Sequence, residues 1–298
     1  MKDLICVVTG GTSGIGRATA LALGRRGAKL ILLGRNARAG PSVVDQLGRI
    51  HGAPTADFIP VDLSNLGQVR LAAAQIVSTY PVLHFLINNA GARYDHFQAS
   101  ADGIELTFAG NHLGHFLLTA LLLEKLLAAP AAHIITVSSG NHSAPPRDGR
   151  WELRAPDYDR RRAYALSKLA NMVFAFDLAR RLAGRSVTSN AYDPGGVSSN
   201  FARNNGLISW GRHLLSHGLN RDLVSPARAA EDLVRLCHLQ QKEKSNGACY
   251  RRDQRIAAPA AMDETVAAGL WDLSLRLTGL GDDIRGRTEK FLKSRSIP

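Results

Sequence analysis

Short runs of consecutive apolar residues alternate with longer stretches of helical period along this chain. Apolar runs at Leu4–Thr9, Lys29–Leu33, Phe58–Val61, Leu83–Ile87, His133–Val137, Ser186–Ala191 and Ala248–Tyr250 predict about seven strands. Helices are predicted between them at Gly14–Arg26, Val43–Ile50, Leu66–Thr79, Gly103–Leu127, Tyr158–Leu182 and Pro226–Gln240. Strands that are apolar on successive residues are buried on both faces, and their alternation with helices builds a parallel sheet covered by helices on each side. The expected class is therefore α/β, a doubly wound parallel sheet. No linker or repeat divides the chain, so one domain over 1–298 is expected.

Two connections, 140–157 and 195–225, exceed the usual loop length of about 4–6 residues, and both leave carboxyl ends of strands, where ligands sit in open α/β sheets. In the second, Phe201, Leu207, Ile208, Trp210, Leu214 and Leu215 are expected to form an apolar lid over about 196–225, or else to pack on the sheet as core.

Composition narrows the picture. With 45% hydrophobic and 21% charged residues the chain is globular, which excludes disordered and fibrous classes. Its net charge of +12 is spread out; six arginines between Arg147 and Arg162 stand among Asp148, Glu152, Asp157 and Asp159. This interleaving reads as a solvated surface, so no nucleic-acid partner is expected. Cys6, Cys237 and Cys249 have neither disulfide-framework nor metal spacing, and no metal site is expected. Reduced cysteines without a signal-peptide pattern lead to the expectation of a cytoplasmic protein. The most apolar helical stretch, Phe116–Ala129, is interrupted by Glu124 and Lys125 and falls short of the roughly 20 residues of a membrane span.

Candidate chemistry begins directly after the first strand. Thr9-Gly10-Gly11-Thr12-Ser13-Gly14-Ile15-Gly16 leads into a helix, and a glycine turn at a helix N-terminus lets backbone amides meet a pyrophosphate. A tight strand-to-helix turn would read the same way by itself. The second strand ends in Leu33-Gly34-Arg35-Asn36, where a carboxylate would bind an adenosine ribose; a guanidinium there instead favours a 2′-phosphate and hence NADP(H). Asp62 and Leu63 after the third strand are placed to meet the adenine. Asn89, Ala90 and Gly91 after the fourth provide small and amide residues for close passage of the nucleotide, unless they form only an Asn-rich turn.

Tyr164 and Lys168 lie four apart on one helix face. An adjacent ammonium and a nicotinamide cation would lower the tyrosine pKa toward neutrality and suit it to proton exchange; a partly buried tyrosine beside a surface lysine is the plainer alternative. Ser138 and Ser139 end the fifth strand, where a hydroxyl can bind a substrate carbonyl oxygen, and the Asn111 amide can hold a water beside Lys168.

Taken together, Thr9–Gly16, Asn88–Gly91, Asn111, Ser139, the Tyr164-Ala165-Leu166-Ser167-Lys168 run and the Asp193–Ser199 run resemble the short-chain dehydrogenase/reductase family over nearly the whole chain. The resemblance implies a Rossmann fold with Ser139 polarising a carbonyl, Tyr164 as acid and base, Lys168 lowering the Tyr164 pKa and holding a ribose, and Asn111 as a water-holding relay. It also implies that Pro194, Gly195, Val197 and Ser199 contact the nicotinamide. Gly140-Asn141-His142, the Ser167–Asn171 run and Leu270-Trp271-Asp272-Leu273-Ser274 are similar to the retinol dehydrogenase and WW-domain oxidoreductase branch. Tyr192-Asp193 departs from that branch's usual pair before Pro194.

The expected function is an NADP(H)-dependent oxidoreductase acting on a lipophilic carbonyl or alcohol, principally as a ketone or aldehyde reductase. The rival is a nucleotide-binding regulatory or scaffold protein without catalysis. The two long apolar helices are candidate faces for a homo-oligomer.

Overall fold

The computed structural model describes residues 1–50, 55–140, 144–146, 148–197, 223–243, 245–252 and 254–280. Eight strands form one sheet in the order β3-β2-β1-β4-β5-β6-β7-β8. They are β1 (Ile5–Thr9), β2 (Lys29–Gly34), β3 (Ala56–Pro60), β4 (Phe85–Asn88), β5 (Ala132–Val137), β6 (Val187–Asp193), β7 (Cys249–Arg251) and β8 (Gln254–Ile256). All neighbouring pairs are parallel except β7 and β8. The antiparallel β8 exceeds the expected seven strands. It is a polar edge strand of three residues, too short and too exposed to leave an apolar run.

Strand side chains divide between two cores. Cys6, Val8, Leu30 and Leu32 face α1 (Gly14–Gly24), α2 (Ala39–Gly48) and a late helix, α6 (Pro226–Glu243). Val7, Ile31, Leu33, Leu86 and Ile134 face α3 (Leu66–Thr79), α4 (Leu106–Leu127) and α5 (Arg160–Arg181), with α7 (Glu264–Thr278) packed outside α5. Period-two alternation in strands that are apolar throughout is thus resolved into two buried faces. All three cysteines are buried and free.

Acidic side chains receive the first amides of α4 and α5, as Asp263 does for α7. Glu105 accepts from Thr107 and Phe108 N–H at 2.7 and 2.8 Å to start α4, and Asp159 accepts from Arg162 N–H at 2.7 Å to start α5. In α2 the start lies earlier than expected because Asn36 Oδ1 gathers the Arg38 and Ala39 amides at 3.1 and 2.9 Å.

The 22 residues of α4 correct the sequence expectation about spanning length. By length and composition this helix could cross a membrane, although 72% of its apolar window is buried within the fold. Its first turns contain a π-helical segment, Ala109–Leu113, which bends Asn111 toward the sheet's carboxyl edge.

β1 is central, with β2 and β3 running one way from it and β4 to β7 the other. The reversal lies between β1 and β4, which opens a crevice at their carboxyl ends.

Candidate functional site

That crevice is a cleft of about 730 Å³ bordered by the ends of β1 to β6 and the first turn of α1. Its floor is set by the Thr9 hydroxyl, which accepts from the amides of Asn89 and Ala90 at 2.8 and 3.0 Å, while Asn89 Nδ2 donates to Thr9 C=O at 2.8 Å. Gly10 takes φ +68°, a conformation that L side chains rarely adopt, and a Cβ on Gly16 would overlap Gly10 O and Asn89 Nδ2. Both positions therefore require glycine. Ser13, at the N-cap of α1, makes no side-chain cap bond, so the first-turn amides face the cleft with the positive end of the helix.

This cradle fits a dinucleotide. Of the expected binding residues, Gly10, Thr12, Ser13, Gly14, Ile15, Arg35, Asn36, Asp62, Leu63, Asn89, Ala90, Gly91, Tyr164, Lys168, Pro194, Gly195 and Val197 all border the cleft. Gly16 lies beneath the turn rather than on its surface. Ser199 and the expected lid residues Phe201, Leu207, Ile208, Trp210, Leu214 and Leu215 lie outside the described residues.

Arg35 stands exposed at the end of β2 and donates to the Tyr94 hydroxyl at 3.1 Å. Asp62 Oδ1 is engaged locally, accepting from Ser64 N–H and Oγ–H at 3.0 and 2.8 Å.

At the other end of the cleft α5 presents Tyr164 and, one turn on, Lys168. The Lys168 ammonium is buried, donates to Val137 C=O at 3.1 Å and lies 5.8 Å from the centre of the Tyr164 ring. Ser138 and Ser139 separate cleanly: the Ser138 hydroxyl donates to Lys168 C=O at 2.6 Å, while the Ser139 side chain is hydrogen-bonded to Tyr164.

The protein's own groups act on the tyrosine in opposing directions. Burial pushes the Tyr164 phenol up to about 12, outweighing the downward effect of the Ser139 hydrogen bond and of the Arg93 charge, and Asp193 adds to the rise. Burial brings Lys168 down to about 8, against the opposing pull of Asp193.

Asn111 is anchored through both ends of its amide. Its Oδ1 accepts from Ala92 N–H at 2.8 Å, and its Nδ2 donates to Ala92 C=O and Ser167 Oγ, both at 2.9 Å. The side chain braces the loop after β4. Behind it, His115 Nδ1 meets Asn111 C=O and His115 Nε2 meets Thr9 Oγ1, both at 2.9 Å. A carbonyl can only accept, so Nδ1 carries the proton and the buried imidazole is neutral, in keeping with burial lowering its pKa to about 3.

Arg93 and Tyr94 border the cleft without having been anticipated. Neither belongs to a periodic or glycine pattern, and only their place immediately after Asn88–Ala92 could have drawn notice. Among the described residues no group of His, Cys, Asp and Glu could hold a metal ion.

A doubly wound sheet with a glycine cradle at one end of its crevice and a Ser-Tyr-Lys group at the other defines a nucleotide-dependent oxidoreductase of the short-chain class. The chain belongs to the short-chain dehydrogenase/reductase family, whose short chain dehydrogenase model matches residues 4–207, and within it to the retinol dehydrogenase-like branch.

Human retinol dehydrogenase 11 is 35% identical over 94% of this chain and 87% of its own length. The chloroplastic short-chain dehydrogenase TIC 32 A of Brassica napus is 35% identical over 93% and 89%. Among solved structures, an uncharacterised protein from Mycobacterium paratuberculosis superposes with a TM-score of 0.67 at 30% identity, covering 93% of this chain and 94% of that one. A Shigella flexneri short chain dehydrogenase complexed with NADP shares the fold, with a TM-score of 0.64 at 24% identity over 85% and 98%.

The expectation of a cytoplasmic location is overturned by these relatives. One as similar as any of them is chloroplastic, and the family's presence there shows that reduced cysteines and the sequence pattern do not fix the compartment. The family's cofactor is a nicotinamide dinucleotide.

Proposed function

We propose that this protein is an NADP(H)-dependent oxidoreductase that exchanges hydride between the nicotinamide and a carbonyl or alcohol carbon of a lipophilic small molecule, working chiefly as a ketone or aldehyde reductase. The observation that carries the reading is the convergence of the hydrogen-bonded Ser139 and Tyr164 with the buried Lys168 at one end of the cleft that Arg35 borders at the other. The retinol named in the human relative is itself lipophilic, which supports the substrate class.

The bound dinucleotide supplies the hydride. The amides of the first turn of α1 would hold its pyrophosphate, Arg35 its 2′-phosphate and Lys168 its nicotinamide ribose. Ser139 donates to the substrate carbonyl oxygen, and Tyr164 gives that oxygen its proton as negative charge develops there. The phenolate left behind is stabilised by the Lys168 ammonium at its side. Asn111 holds the loop that ends in Ala92 and so keeps this wall of the cleft in place.

Two measurements bear on the parts. Replacing Arg35 with Ala is expected to weaken NADPH binding roughly tenfold to a hundredfold, the range for losing a charge-assisted phosphate contact, while NADH binding changes little. An unchanged NADPH dissociation constant would remove Arg35 from the phosphate site. The rate of carbonyl reduction is expected to hold level through neutral pH, because Tyr164 stays protonated up to about 12, and to decline as pH rises through about 8, where Lys168 loses its proton. A descending limb that stays in place in Lys168→Arg would assign it to another group.

The experiment that tests the whole reading follows NADPH absorbance with all-trans-retinal and a panel of aliphatic and polycyclic ketones and aldehydes. Turnover on any of them supports the reductase. Tight NADPH binding with no turnover on the entire panel favours the silent nucleotide-binding protein.

A further inference from the structure

Among the described residues the cleft is bordered by three cationic side chains, Arg35, Arg93 and Lys168, against a single acid, Asp62. On the proposed function two of these cations serve the dinucleotide, Arg35 at its adenosine end and Lys168 at its nicotinamide ribose. Arg93 is assigned to neither end on that reading.

Its placement is fixed from both sides. The Asn111 amide grips the N–H and C=O of Ala92 at 2.8 and 2.9 Å, and the Tyr158 hydroxyl donates to the carbonyl of Tyr94 at 2.9 Å. Ala92 and Tyr94 are buried and Arg93 half-buried, so the side chain rises from an anchored backbone into the cleft wall. It ends close enough to Tyr164 for its charge to ease ionisation of the phenol. The nearby acid Asp193 is fully buried, bonded to the Arg251 guanidinium at 2.5 and 2.9 Å, and does not border the cleft. The cleft therefore carries a positive group near Tyr164.

We propose that Arg93 is a specificity-determining residue that receives a carboxylate adjacent to the reacting carbonyl, so that the substrates are oxo acids with an apolar body, or the corresponding hydroxy acids. This rests on the proposed oxidoreductase reading and narrows its substrate class. A planar guanidinium pairs with a carboxylate through two parallel hydrogen bonds, and in a partly desolvated cleft such a pair discriminates strongly against a neutral analogue. The carboxylate takes no part in the proton or hydride transfer. It fixes which way round the carbonyl lies against Ser139 and Tyr164.

The test compares 2-oxodecanoate with decan-2-one, two probes of similar apolar length, by calorimetric titration onto the NADP⁺-loaded full chain. Wild-type protein is expected to bind the oxo acid about tenfold or more tighter. Arg93→Met is expected to erase that preference, and Arg93→Lys, which keeps the charge but not the fork, to retain part of it. Equal binding of the two probes by the wild type, or a preference that persists in Arg93→Met, overturns the assignment. The two readings fail differently. A carboxylate preference without NADPH oxidation on either probe strikes the reductase and leaves the Arg93 site standing, whereas turnover of neutral ketones without that preference strikes Arg93 alone.

Discussion

Replacing Tyr164 with Phe is expected to lower the rate of carbonyl reduction by about a thousandfold while leaving NADPH affinity within a few-fold of wild type. The estimate follows from what one positioned acid contributes, roughly 10²- to 10⁴-fold. Phe keeps the ring and its 5.8 Å approach to the Lys168 ammonium but removes the hydroxyl assigned to pass a proton to the substrate oxygen. The Ser139 hydroxyl loses its partner in the same change, so the carbonyl is left less well held as well as unprotonated. Steady-state rates on any accepted carbonyl, paired with fluorescence titration of NADPH, separate the two effects. A variant that keeps more than a tenth of wild-type turnover would place the proton donor elsewhere.

The second large effect is expected at the opposite end of the cleft. Gly16→Ala adds only one carbon, but that carbon would fall on the carbonyl of Gly10 and on Asn89 Nδ2, and the first of these is backbone with no rotamer through which to yield. Gly10 itself is held by its left-handed conformation, and Asn89 Nδ2 is already committed to Thr9 C=O. Relief must come from opening the turn, which carries the α1 amides away from their common focus. NADPH affinity is expected to fall at least about a hundredfold, the scale for losing several hydrogen bonds to a charged group, while the helical content is retained. Titration together with circular dichroism checks both halves. Wild-type affinity in Gly16→Ala would mean that the pyrophosphate does not sit on this turn.

Much of the fold was legible because burial on both faces writes itself into a strand as an unbroken apolar run. Cys6-Val7-Val8 and Leu30-Ile31-Leu32-Leu33 admit few other readings, and their alternate residues do enter different cores. The elements that escaped lack that signature. β8 is a short polar edge strand, and α7 presents to its neighbours only a narrow stripe that includes Leu270, Ser274 and Leu275. The limits of α7 were nonetheless written in the chain, since Asp263 accepts from the Thr265 and Val266 amides and Gly279 closes the helix in a left-handed conformation.

At the site, the order of residue types singled out Ser139, Tyr164 and Lys168, which border one cleft, but electrostatics and bonding were not readable from order. The direction of the Tyr164 shift depends on how far the phenol is desolvated, a property of tertiary packing. The bracing role of Asn111 depends on a π turn that no local pattern announces. Arg93 stands out only when the charges bordering the finished cleft are set beside one another.

Hydride transfer itself can be followed with NADPH deuterated at nicotinamide C4 on either face, incubated with an accepted carbonyl substrate and analysed by mass spectrometry of the product alcohol. Deuterium carried onto the former carbonyl carbon from one face only, and lost when Tyr164 is replaced by Phe, is the expected result. Alcohol formed without label from either face, or labelled NADPH returned intact beside unreacted substrate, would mean that this cleft binds its nucleotide for some purpose other than reduction.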